Sequence, residues 1–186
     1  MSAMPRGFTL IEIGISLLIL GMLLALGLPS FVTWIGNTQI RSGAEGVLNG
    51  IQLARSEAVR RNLTTQFVLT EAGATPPTTG WTVQVVNSAG AVTEVVQTRS
   101  KNEGSPNAQV VIAPGAATTL TFNGMGRVLA KNADLSDAIT QIDVVNPGSG
   151  ACEADGGSMR CLQIRLGTGS VRMCDPKVAA GDPRAC

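Results

Sequence analysis

The chain has 186 residues, 44% of them hydrophobic and 15% charged, with a formal net charge of +1. It contains no His, which excludes Ser-His-Asp and Cys-His catalysis, His-ligated zinc and an imidazole pH switch. A charge near zero argues against bulk, non-specific nucleic-acid binding, and the length fits one domain with an appendage.

The mean hydropathy of +0.23 is concentrated at the front. Residues 1–7 form a short hydrophilic leader, MSAMPRG, with Arg6 as its cation. Phe8–Leu28 is then apolar apart from Glu12, and as a helix it spans roughly 30 Å, the thickness of a bilayer's hydrocarbon core. A secretory signal peptide cut near Ala25-Leu26-Gly27 is the competing reading of this segment. Two observations count against it. A carboxylate costs roughly 2.5–3.5 kcal/mol at the centre of a membrane helix, and helical periodicity continues past the apolar run.

Gly7-Phe8-Thr9-Leu10-Ile11-Glu12 followed by an apolar helix resembles the prepilin motif of type IV pilins and type II secretion pseudopilins. The resemblance implies cleavage after Gly7 by a prepilin peptidase and N-methylation of Phe8, with the apolar helix retained. In lipid Glu12 is an unpaired charge. In a filament of bundled helices it can meet the terminal amine of a neighbouring subunit's first residue, a pair better suited to fixing register than to adding stability. Glu12 is therefore the candidate assembly residue.

From Ile40 the apolar positions Ile40, Ala44, Val47, Leu48, Ile51, Ala54, Ala58 and Val59 fall on one face of a helix. Arg41, Glu45, Gln52, Arg55, Arg60 and Arg61 fall on the other. Pro29 is expected to kink the helix and Gly27 and Gly36 to loosen it. A stop near Asn62 places Arg60 and Arg61 at the negative end of the helix dipole. Phe8–Asn62 would measure on the order of 80 Å.

After Asn62 come short β-branched runs at Thr64–Leu69, Trp81–Val86, Val92–Thr98, Ala108–Ile112, Thr118–Phe122, Thr140–Val145, Leu162–Leu166 and Val171–Cys174. Gly73–Gly80 and Asn102–Asn107 read as loops. With a turn at Thr168-Gly169, Leu162, Ile164 and Leu166 share a face with Val171 and Met173, and Gln163, Arg165 and Arg172 share the other. The expectation is an α+β fold, a long N-terminal helix packed on an antiparallel sheet.

Leu53–Asn62, the stretch from Phe122 to Gly126-Arg127, and the Cys-bearing end from Arg172 to Cys186 resemble the GspH/FimT group, especially FimT/FimU-type minor pilins. The resemblance implies a type IV pilin-like fold and a low-abundance filament subunit that primes and caps pilus assembly, supporting motility and adhesion. Pseudopilin H of type II secretion is the alternative, ranked second because its usual form lacks such a Cys-closed end. The implied partners are other minor pilins, the major pilin, the prepilin peptidase and the inner-membrane assembly platform. The division is leader 1–7, transmembrane segment 8–28, amphipathic continuation 29–62 and periplasmic β-rich domain 63–186, a single pass through the bacterial inner membrane. No enzyme constellation and no cofactor is expected.

Cys152, Cys161, Cys174 and Cys186 lie in the last 35 residues. Four cysteines allow three pairings, which the sequence does not resolve; the local one, Cys152–Cys161 with Cys174–Cys186, closes the shortest loops. Disulfides suit an oxidising periplasm, and the absence of Cys-x-x-Cys argues against zinc. DNA is a third candidate partner, because relatives that bind it use a Gly-Arg-x-Arg in the last hairpin. Here that stretch is Gly169-Ser170-Val171-Arg172, with the first Arg missing. Arg165, Arg172 and Lys177 are the candidate contacts, and Phe67, Trp81 and Phe122 the only aromatics after the long helix.

Overall fold

The computed structural model describes residues 7–70, 77–115, 117–167 and 169–186. Leader residues 1–6, the first part of the 73–80 loop and Thr168 of the hairpin turn lie outside these residues. Helix α1 runs Leu10–Arg61, 52 residues, or about 78 Å. It starts at a capping box: Thr9 Oγ1 accepts from the Glu12 backbone N–H at 3.3 Å, and the Glu12 carboxylate accepts from the Thr9 N–H at 3.3 Å. It ends where Asn62 turns left-handed at φ 52°, a conformation Asn tolerates better than most residues. The helix is continuous through Pro29.

Two environments divide this helix. Among the described side chains, the large apolar ones from Leu10 to Ile35 face the surroundings, whereas Ile40, Ala44, Val47, Ile51, Ala54 and Ala58 are fully buried. The spacing of the buried set alternates four and three, the expected stripe of a helix on a core. Val59 departs from the sequence reading: it is 53% exposed. Arg61, placed on the solvent side by the pattern, is half-buried because it reaches back to the domain.

The strands are β1 (Thr65–Leu69), β2 (Trp81–Val86), β3 (Val92–Arg99), β4 (Gln109–Ala113), β5 (Thr119–Phe122), β6 (Gln141–Val145), β7 (Leu162–Leu166) and β8 (Val171–Cys174). They form two antiparallel sheets rather than one, in the orders β3-β2-β1-β5 and β4-β6-β7-β8. In the first sheet Phe67 pairs with Val83 and Leu69 with Trp81, and this face is buried against α1. Its other face is polar. Gln84 donates to Gln66 Oε1 at 3.1 Å and Thr121 to Asn132 Oδ1 at 2.6 Å, joining the sheet to the 123–138 segment that covers it. In the second sheet Ile142, Ile164 and Met173 lie in register and face the helix side. The β7–β8 register is Leu166 with Val171 and Arg165 with Arg172, as the alternation requires.

Candidate functional site

The N-terminal site is a helix start. Phe8 is 81% exposed, and among the described residues nothing other than its chain neighbours lies within 4 Å of where a Gly7 Cβ would sit. Glu12 is exposed, one turn into the helix, where the dipole favours an anion. Its carboxylate is shared with Thr9, whose hydroxyl lies 3.3 Å away. This local role escaped the sequence reading, although Thr9-x-x-Glu12 carries the capping-box signature. Glu12 lies four residues along the chain from Phe8.

Downstream the helix enters the domain through a glycine. A Cβ on Gly36 would lie 2.5 Å from Met159 Cε and 2.7 Å from Ser149, so only glycine admits the 146–161 loop onto the helix. Asn37 Oδ1 accepts from the Arg160 backbone N–H at 2.8 Å, and Gln39 Oε1 accepts from Asn146 Nδ2 at 3.2 Å. Gly36 is thus a packing position here rather than a loosening one. The loop that grips it is closed by a disulfide, Cys152–Cys161, and a second bond joins Cys174 to Cys186. Among the described residues no cysteine is free and no three His, Cys, Asp or Glu side chains gather around a space for a metal ion.

The three cations proposed for DNA contact are exposed but engaged. Arg165 donates to Gln163 Oε1 at 2.6 Å and to the Cys186 main-chain oxygen at 2.9 Å. Arg172 donates to the Ala185 main-chain oxygen at 3.0 Å, and Lys177 Nζ to that of Glu153 at 3.3 Å. Arg165 and Arg172 face each other across the strands, a like-charge pair that costs stability. The tail that Cys174 holds in place brings main-chain oxygens to both. The aromatics Phe67, Trp81 and Phe122 are core residues with at most 3% exposure, so they form no stacking platform.

Electrostatics elsewhere tie α1 to the edge of the first sheet. Arg61 donates to both Glu94 oxygens, at 2.6 and 3.1 Å, and to Glu57 at 2.7 Å. Hydrogen bonds from Arg60 and Arg61 hold the Glu57 carboxyl below its ordinary range, and Arg61 does the same to Glu94.

The chain is similar to two crystal forms of the type IV minor pilin FimU of Pseudomonas aeruginosa (strain PAO1). One matches with 19% identity over 72% of this chain and 87% of that chain, at a TM-score of 0.47. The other matches with 19% identity over 72% and 90%, at 0.45. No curated protein sequence matches. The family model described as type II transport protein GspH matches residues 43–169, spanning the buried half of α1 and the strands through β7. By that match the chain belongs to the GspH family, whose members are structural subunits rather than enzymes.

Proposed function

We propose that this chain is a minor pilin, a filament subunit that helps prime and cap a type IV pilus. The observation that carries the reading is the division of α1. Its apolar half is uncovered from Leu10 to Ile35, and its second half is sealed into a two-sheet domain. A soluble domain has no use for such a length of bare apolar helix, but a subunit stored in a membrane and then packed among other helices has use for both halves. On this reading a prepilin peptidase removes residues 1–7, Phe8 becomes the methylated terminus, and residues 8–28 anchor the chain in the inner membrane with 63–186 in the periplasm. The inner-membrane platform, other minor pilins and the major pilin are its assembly partners.

Glu12→Val tests this. The variant should reach the membrane fraction as wild type does and be depleted at least tenfold from sheared filaments, read by immunoblot. Equal incorporation would overturn the role assigned to Glu12, and a soluble full chain would overturn the anchor.

A second reading, a pseudopilin of type II secretion, is favoured by the description of the matching family. The tail closed by Cys174–Cys186 supports the pilus instead. Deleting the gene decides between them: loss of surface pili and twitching supports the first reading, and loss of secreted enzymes with intact pili supports the second.

A further inference from the structure

Three exposed apolar side chains meet at the C-terminal end of α1: Val59 is 53%, Leu63 49% and Met125 74% exposed. They are neighbours because the 123–127 turn is clamped onto the helix end. Gly124 packs on Asn62, where an added Cβ would stand 3.0 Å from the Asn62 carbonyl carbon. Gly126 packs on Val59, its Cβ position 2.7 Å from Val59 Cγ2, and its φ of +72° favours glycine. Asn123 closes the turn. Its Oδ1 accepts from the Met125 and Arg127 backbone N–H groups at 3.1 and 3.0 Å, and its carbonyl accepts from the Gly126 N–H at 2.8 Å. Met125 thus stands on a fixed turn, between two glycines that touch the helix. Val59, which helical spacing assigns to the buried face, belongs to this patch instead.

The charge around the patch is unbalanced. Arg55, whose side chain lies against Gly126, and Arg127 are exposed, and neither side chain makes a hydrogen bond or ion pair among the described residues. The carboxylates on the elements that meet here are already committed: Glu57 accepts from Arg60 and Arg61, and Glu94 accepts twice from Arg61. Asp134 and Asp137 lie at the Thr119 end of the covering segment, bonded to Ser136 and Lys131. Arg55, Arg60, Arg61 and Arg127 against Glu57 and Glu94 leave a local charge of +2, and it resides on Arg55 and Arg127.

An apolar centre containing Met with a rim of Arg has the composition of a protein interface. DNA would use the two arginines and leave the apolar centre bare. The membrane is remote, because Asn62 lies 26 residues beyond Gly36, about 39 Å of helix past the last bare apolar side chains.

We propose that this patch docks a neighbouring filament subunit through an apolar side chain flanked by carboxylates. Met125, Val59 and Leu63 bury the apolar group, and Arg55 and Arg127 pair with the carboxylates. The inference rests on the filament-subunit reading above. With the helices bundled in parallel and the anchor at the other end, the patch faces the neighbour one level further from the membrane.

The test places the photocrosslinker p-benzoylphenylalanine at position 125 of the full chain in its host and irradiates cells before filaments are sheared. An adduct with another filament subunit should form, and its crosslinked peptide should carry an apolar side chain within a few residues of Asp or Glu. Arg55→Glu with Arg127→Glu should reduce the adduct about tenfold, the scale of losing two paired charges from an interface rim; an unchanged yield overturns the patch. Arg55→Lys with Arg127→Lys should keep most of it. The same crosslinker at Leu135, 79% exposed at the far end of the segment, should not label that peptide, and equal labelling there would mean crowding and overturn the patch. A peptide without carboxylates, or an adduct that nuclease removes, would overturn it too. A chain that enters filaments but gives no adduct overturns the patch alone. A chain absent from filaments overturns the filament reading and the patch with it.

Discussion

Gly50 is where the helix backbone meets two rings. A Cβ there would stand 2.6 Å from the Trp81 indole and 2.9 Å from Phe67. Helix propensity alone would favour Gly50→Ala by about 1 kcal/mol, while overpacking a tight core costs about 1–3 kcal/mol. Packing wins here because the indole cannot retreat: its Nε1–H donates to the Gly46 carbonyl at 2.9 Å, and the ring is buried. Gly50→Ala should therefore lower stability by about 1–2 kcal/mol, read as a lower denaturant midpoint by circular dichroism. The sequence shows a glycine amid helix formers at 50 but not what lies over it, because the rings arrive from strands 17 and 31 residues away. By contrast the Thr9–Glu12 cap is visible in four consecutive letters. A role set by near neighbours is written in adjacent letters even where, as with this cap, the sequence reading passed over it, whereas one set by approach across the core is not.

At the scale of elements, periodicity carried the helix and the strands because both are local patterns. Trp81–Val86, Leu162–Leu166 and Val171–Cys174 keep the expected bounds, and the other strands shift by one residue, at both ends in Gln109–Ala113 and at one end elsewhere. The division into two sheets was not visible. It depends on β5 pairing with β1 and β4 with β6, partners separated by long intervening chain, and no composition signal marks such a choice. Nor could spacing show that Arg61 would bridge α1 to the edge strand β3. That bridge has a pH signature. Glu57 and Glu94 titrate below their ordinary 4.5 in the folded chain because Arg60 and Arg61 hydrogen-bond the ionised forms. A lowered folded value stabilises the native state above the unfolded value and loses that contribution as pH falls through the folded one. The melting temperature should therefore drop as pH falls below about 4.5. Arg61→Gln should flatten the drop; an unchanged slope would show that the bridge does not contribute.

For the whole molecule the decisive joint is the one between the bare and the buried halves of α1. Beside the second sheet, the 146–161 loop grips this joint at Gly36, Asn37 and Gln39. Cys152 and Cys161, separated by nine in sequence, keep that loop short in the unfolded chain as well, a contribution of about 2–3 kcal/mol in the chain-entropy model. The Cys174–Cys186 bond, with a separation of 12, gives a similar entropic term, but the hydrogen bonds of its tail go to Arg165 of β7 and Arg172 of β8, not to Gly36, Asn37 or Gln39. The two bonds should therefore differ in where their loss is felt. Cys152→Ala with Cys161→Ala should lower the melting temperature by roughly 5–10 °C and speed hydrogen exchange at residues 36–40. Cys174→Ala with Cys186→Ala should lower it comparably and leave exchange at 36–40 unchanged, loosening Arg165 and Arg172 instead. Equal exchange in the two variants would mean that the joint is held by the helix itself. The bare and the buried halves of α1 meet at this boundary, and the covalent closure of this loop places a clamp there.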